Sequence, residues 1–126
     1  IRLAAAAALC AASPVIAADF DGSKRLICAP VEAMDCVVGA ECFKGNPDDV
    51  GAPAFMRIDV ANKAITGPKR STPIRHIESD ADQILLQGSE LGYGWALALD
   101  RKTGTFSATL TDREGTFVLF GSCTPL

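Results

Sequence analysis

The run Tyr93-Gly94-Trp95-Ala96-Leu97-Ala98-Leu99-Asp100 constrains this chain more than any other stretch. Tyr93, Trp95, Leu97 and Leu99 fall on one face at strict period two, with small or polar residues on the other. A helix would scatter such a set around its circumference, whereas a half-buried strand collects it on one side. Phe106, Ala108 and Leu110 repeat the pattern, with Thr105, Ser107, Thr109 and Thr111 toward water. Between the two runs, Asp100-Arg101-Lys102-Thr103-Gly104 places a glycine where a hairpin needs left-handed backbone. The pair reads as an antiparallel hairpin.

The same reading extends to strands over 24–31, 55–60, 64–66, 74–79, 84–87 and 116–121. Ala61-Asn62-Lys63, Asp80-Ala81-Asp82 and Asp112-Arg113-Glu114-Gly115 supply the turns. Ile58-Asp59 to Ile65 has the spacing of Leu99-Asp100 to Phe106, a single internal match of hairpin units. Ile74 and Ile77 break period two, which places a bulge or an edge strand there. Residues 32–38 allow one helical turn, and 43–54, rich in Gly, Pro and Asp, read as a long surface loop. The expected fold is all-β, an antiparallel meander of about seven to eight short strands curled into a small barrel or packed as a sandwich.

Ahead of this lies a different composition. Arg2 precedes an uninterrupted apolar run over 3–12, followed by Ser13-Pro14 and then Val15-Ile16-Ala17-Ala18. A positive flank, a short apolar stretch, a breaker and small residues at a cleavage position describe a secretory signal peptide. The run is about half of what a permanent membrane anchor needs. Residues 1–18 are therefore expected to be removed, leaving one domain over 19–126 in the periplasm or outside the cell. No later apolar stretch is long enough to span a bilayer.

Export gives the cysteines their meaning. Cys28, Cys36, Cys42 and Cys123 remain after Cys10 is removed, and an even set in a small exported domain reads as two disulfides. Three pairings are open. Cys28 with Cys123 and Cys36 with Cys42 is preferred, because the first ties the chain ends across a sheet. The second flanks Val37-Val38-Gly39-Ala40-Glu41, enough chain to turn back. Metal or redox use would favour Cys-x-x-Cys spacing, which is absent from the sequence.

Charge narrows the partners. Of 12 Lys and Arg residues against 15 Asp and Glu, the expected signal removes Arg2, so the remainder is mildly acidic. Such a chain lacks the basic face that nucleic acid requires. The one basic cluster, Lys69, Arg70, Arg75 and His76, is the best-localised polar candidate for binding an anion or an acidic partner. His76 is also the only histidine, so a Ser-His-Asp arrangement would have to use it with Glu78, Ser79 or Asp80; no nucleophile-elbow motif accompanies it. Glu78, Asp80 and Asp82, like Asp48-Asp49, read as polar turns without the full pattern of a calcium loop. Tyr93 and Trp95 are core candidates that a small barrel could also use to line an apolar cavity. No cofactor or metal is expected.

Trp95-Ala96-Leu97-Ala98-Leu99-Asp100-Arg101-Lys102-Thr103-Gly104, the late Phe120-Gly121-Ser122-Cys123, and Met56-Arg57-Ile58-Asp59 after Gly51-Ala52-Pro53 resemble short exported bacterial proteins of unassigned activity. The resemblance implies a secreted β domain and assigns no catalytic residue. The expected function is a non-catalytic binding or accessory protein with a protein partner or a small ligand. A structural envelope protein and a hydrolase using His76 are the alternatives. A ligand carrier requires a cavity behind Tyr93 and Trp95; an accessory protein requires an exposed apolar or charged patch.

Overall fold

The computed structural model describes residues 6–13 and 18–126. Residues 1–5 and 14–17, which include most of the expected cleavage region, lie outside the described residues. The domain contains ten strands: β1 (Leu26–Val37), β2 (Phe43–Gly45), β3 (Met56–Asp59), β4 (Ala64–Thr66), β5 (Ser71–Pro73), β6 (His76–Ser79), β7 (Gln83–Glu90), β8 (Tyr93–Asp100), β9 (Thr105–Thr111) and β10 (Gly115–Pro125). They form one antiparallel sheet in the order β5-β4-β3-β1-β10-β9-β8-β7-β6, with β2 added to β1. The sheet curls into a half-barrel, which decides between the expected barrel and sandwich.

The sheet's two edges meet through the chain itself. Ile74 donates its amide to the Lys63 carbonyl at 2.9 Å, whereas Arg75 donates to that of Gln87 at 2.8 Å. Segment 71–79 thus serves β4 with its first half and β7 with its second. Here the broken periodicity of Ile74 and Ile77 finds its cause: Ile74 is buried at the corner where the strand changes partners.

Two expectations need correction. Residues 32–37 belong to β1 and make no helical turn. A bulge between Pro30 and Glu32 moves the inward parity from Leu26 and Cys28 to Ala33, so period two is lost to the eye although the strand continues. Residues 43–54 are also more ordered than a plain loop, because they contain β2 and a 3-10 helix over Pro47–Val50. The Asn46 amide donates to the Asp49 carboxylate at 2.9 Å to start that helix. Val50 and Ala52 then pack against the core.

The core runs down the inside of the sheet: Leu26, Cys28, Ile58, Ile84, Leu86 and Leu99 are its most buried members. Two aromatic rings reach it by lying over glycines on the neighbouring strand. Trp95 covers Gly88, where an added Cβ would stand 2.5 Å from the indole and 2.8 Å from the Pro73 carbonyl. Phe106 covers Gly121 in the same way. Cys28 and Cys123 face each other across β1 and β10 and are bonded, closing 95 residues of chain inside the core. Cys36 and Cys42 are bonded beyond it. Both pairs are those preferred from the sequence.

Candidate functional site

Antiparallel order puts the turns after β3, β6 and β8 at one end of the half-barrel, and those after β1, β4, β7 and β9 at the other. The first end is closed. Phe20 lies on Gly104, and Gly22 lies against Val60 and Ile84, so the segment before β1 covers the opening. Each of the three turns there begins with an aspartate that accepts local amides. Asp59 accepts from the Asn62 amide at 3.0 Å, Asp80 from Gln83 at 2.9 Å, and Asp100 from Thr103 at 3.0 Å and Lys102 at 2.7 Å. These are Asx turns, which trade a side-chain oxygen for turn carbonyls that the backbone would otherwise need.

Hydrogen bonding to the ionised form holds these carboxyls below the usual carboxylate range. The Asn62 side chain leads for Asp59, the Gln83 amide for Asp80 and the Thr103 amide for Asp100. Asp21, in the covering segment, is lowered first by the Ser23 hydroxyl.

The opposite end is open, and beside charged turns such as Asp112-Arg113-Glu114 it exposes an apolar set. One row of directly opposed residues crosses the sheet there: Phe43, Asp35, Phe117, Leu110, Trp95 and Gly88. Opposed residues share a face, so this row marks the inner surface of the half-barrel. Its burial changes along its length. Trp95 is buried in the core, Phe117 is half-buried, and Phe43 is 72% exposed. Gly45, next along β2, is approached by the Asp49 side chain, so the 3-10 helix lies between the core and the outer part of the row.

Above the row stands a rim. Val37 lies beside Gly115 and is 51% exposed; Val38, in the turn that follows, is 90% exposed. Tyr93 packs on Phe117 with ring centroids 5.9 Å apart. In the β7–β8 turn Leu91 is exposed and held at φ 49°, before Gly92 at φ 84°. Left-handed backbone costs a branched side chain roughly 1–2 kcal/mol, and Asn or Gly is the usual choice at such a place. The chain therefore keeps an apolar side chain in water and in an unfavourable conformation. Asp35 is the one carboxylate in the row, flanked by Phe43 and Phe117. The Cys36–Cys42 bond closes the hairpin that carries Val37, Val38 and Phe43 at the two sides of its tip.

The residues singled out from the sequence fall in different places. Trp95 is core, and its buried Nε1–H has no hydrogen-bond partner among the described residues; Tyr93 belongs to the rim. The basic cluster is divided. Lys69 and Arg70 lie in the β4–β5 turn at the open end, with Arg70 4.0 Å from Glu90. Arg75 and His76 sit further along, at the corner and in β6, where His76 Nε2 is 3.0 Å from Glu78 in an exposed pair. Asp80 spends Oδ1 on its own turn, and Asp82 pairs with Lys102 at 3.2 Å. Sequence reasoning missed Val37, Val38, Phe43, Leu91 and Phe117. Two adjacent valines inside a short cysteine loop were the available signal. Comparison with protein-family models, with curated proteins and with solved structures gave no match.

Proposed function

We propose that this is an exported, non-catalytic accessory protein that docks on a partner protein through the apolar rim. The observation that carries the reading is the rim itself: Val37, Val38 and Phe43 exposed on one disulfide-closed hairpin, with Leu91 exposed in another turn at the same end, in a domain whose other end is covered. Singly exposed apolar residues are ordinary, but three on one braced hairpin point to a contact surface. Bracing strengthens the case. A disulfide across a hairpin tip with no core beneath it adds little to burial, yet it fixes the shape that a partner meets and lowers the ordering cost of binding. Leu91 supports the same view, since backbone strain is retained where function holds it.

The matching partner surface presents an apolar pocket and, opposite Asp35, a hydrogen-bond donor or a basic side chain. Export to an oxidising compartment is supported by the two disulfides. Use of His76 for hydrolysis finds less support, because among the described residues its side chain pairs only with Glu78, in an exposed pair outside any enclosed site.

Native mass spectrometry of protein purified gently from the periplasm tests the reading. The expected result is an added mass at fixed stoichiometry that Val38→Asp and Phe43→Asp each remove. A partner that stays bound to both variants would sink the proposal, as would a wild type that is always a bare monomer.

A further inference from the structure

A second surface lies away from the rim, on the outer face of β8, β9 and β10. A groove of about 560 Å³ runs there between β7 and the bulge of β1, a volume within the range of small-ligand sites. Its floor is kept low by Ala98. One wall is apolar. The bulge turns Val31 outward, 67% exposed, beside Phe120, which is 40% exposed. The other side carries Gln83, Thr105, Ser107 and Ser122, all exposed.

Two carboxylates, Asp82 and Asp100, line one end of this groove. Asp100 Oδ1 accepts from the Lys102 and Thr103 amides, and Asp82 is paired with Lys102. What remains is an aromatic ring open to solvent next to neutral hydroxyl and amide groups, in an open trough. A sugar ring has the complementary chemistry: a C–H face that lies on an aromatic ring and a hydroxyl edge that both donates and accepts hydrogen bonds. We propose that this groove binds a saccharide, with Phe120 as the stacking platform and Ser107, Ser122 and Gln83 as polar contacts.

Titrating maltotriose and chitotriose into isotope-labelled protein, read by amide chemical shifts, tests the site. At least one sugar should shift Gln83, Ala98, Ser107, Phe120 and Ser122 while leaving Val38 and Phe43 unmoved. Phe120→Leu should weaken that binding about tenfold, the worth of one good aromatic contact, and Phe120→Tyr should retain it. The proposal is overturned if neither sugar shifts these amides, if Phe120→Leu binds as well as wild type, or if phenethylamine shifts them and the sugars do not.

Discussion

The two ends of the half-barrel differ in what covers them and in what they expose. At the closed end the turns begin with Asp59, Asp80 and Asp100, each spending its carboxylate on local amides, and Phe20 covers the opening. At the open end the chain places Val37, Val38, Phe43 and Leu91 in water and holds them with a disulfide and a strained turn. One end follows the rules that favour a stable fold at each step. The other departs from them at several adjacent positions, which is where function is expected to lie. Even the cross-links divide this way: Cys28–Cys123 is inside the core, and Cys36–Cys42 is beyond it.

The largest effect should come from separating the two disulfides. In the chain-entropy model a loop of about a hundred residues is worth roughly 4–5 kcal/mol, and a loop of a few residues roughly 2 kcal/mol. Cys28→Ala with Cys123→Ala should therefore cost at least twice what Cys36→Ala with Cys42→Ala costs, as read from urea midpoints. Equal costs would erase the distinction between a structural staple and a tip brace.

The aromatic residues of the two ends should differ next. Phe20→Ala uncovers core and should cost about 2 kcal/mol, below the full-burial value because the ring is only partly buried. Phe43→Ala should stay within about 0.5 kcal/mol, the range of an exposed surface change. A Phe43 variant that unfolds like the Phe20 variant would make the rim part of the fold.

Leu91→Asn sharpens the contrast by changing sign. Asn accepts left-handed backbone more readily, so the variant should gain about 1 kcal/mol in thermal or chemical unfolding while losing partner binding. A destabilised Leu91→Asn protein would show that the side chain packs for stability.

Acid should act on the closed end. Asp21, Asp59, Asp80 and Asp100 have carboxyls lowered in the folded state, chiefly by hydrogen bonds from their own turns. Their contribution is fully present above the unfolded-chain value, about pH 4, and is lost as pH falls below it through the folded values. Amide protection, measured against the intrinsic exchange rate at each pH, should accordingly fall in these turns first on acidification. Asp100→Asn should flatten the local pH dependence, while the Cys36–Cys42 hairpin should show little change.

How far these ends could be seen in the sequence depended on parity and on distance along the chain. The β8–β9 hairpin was legible because period two and its turn lie within a short window and no bulge intervenes. The disulfide pairing was a preference among three, resting on the expectation of export and on the position of Cys28 and Cys123 near the ends of the domain. The second half of β1 was not, because one extra residue at the Pro30–Glu32 bulge reverses the inward face. The rim was harder still. Phe43 and Phe117 are brought to either side of Asp35 by pairing across three strands, and only sheet order reveals that row. The basic cluster is divided for the converse reason: residues close in sequence are spread along an extended segment that changes partners at its corner.

The central claim, that the braced open end is the contact surface, is tested most directly by photo-crosslinking in intact cells. A photoreactive residue would replace Val38 in one strain and Asn62, in the closed-end β3–β4 turn, in another. The account predicts one discrete adduct from position 38, abolished by Phe43→Asp, and none from position 62. Adducts of equal yield from both positions, or none from position 38, would contradict it.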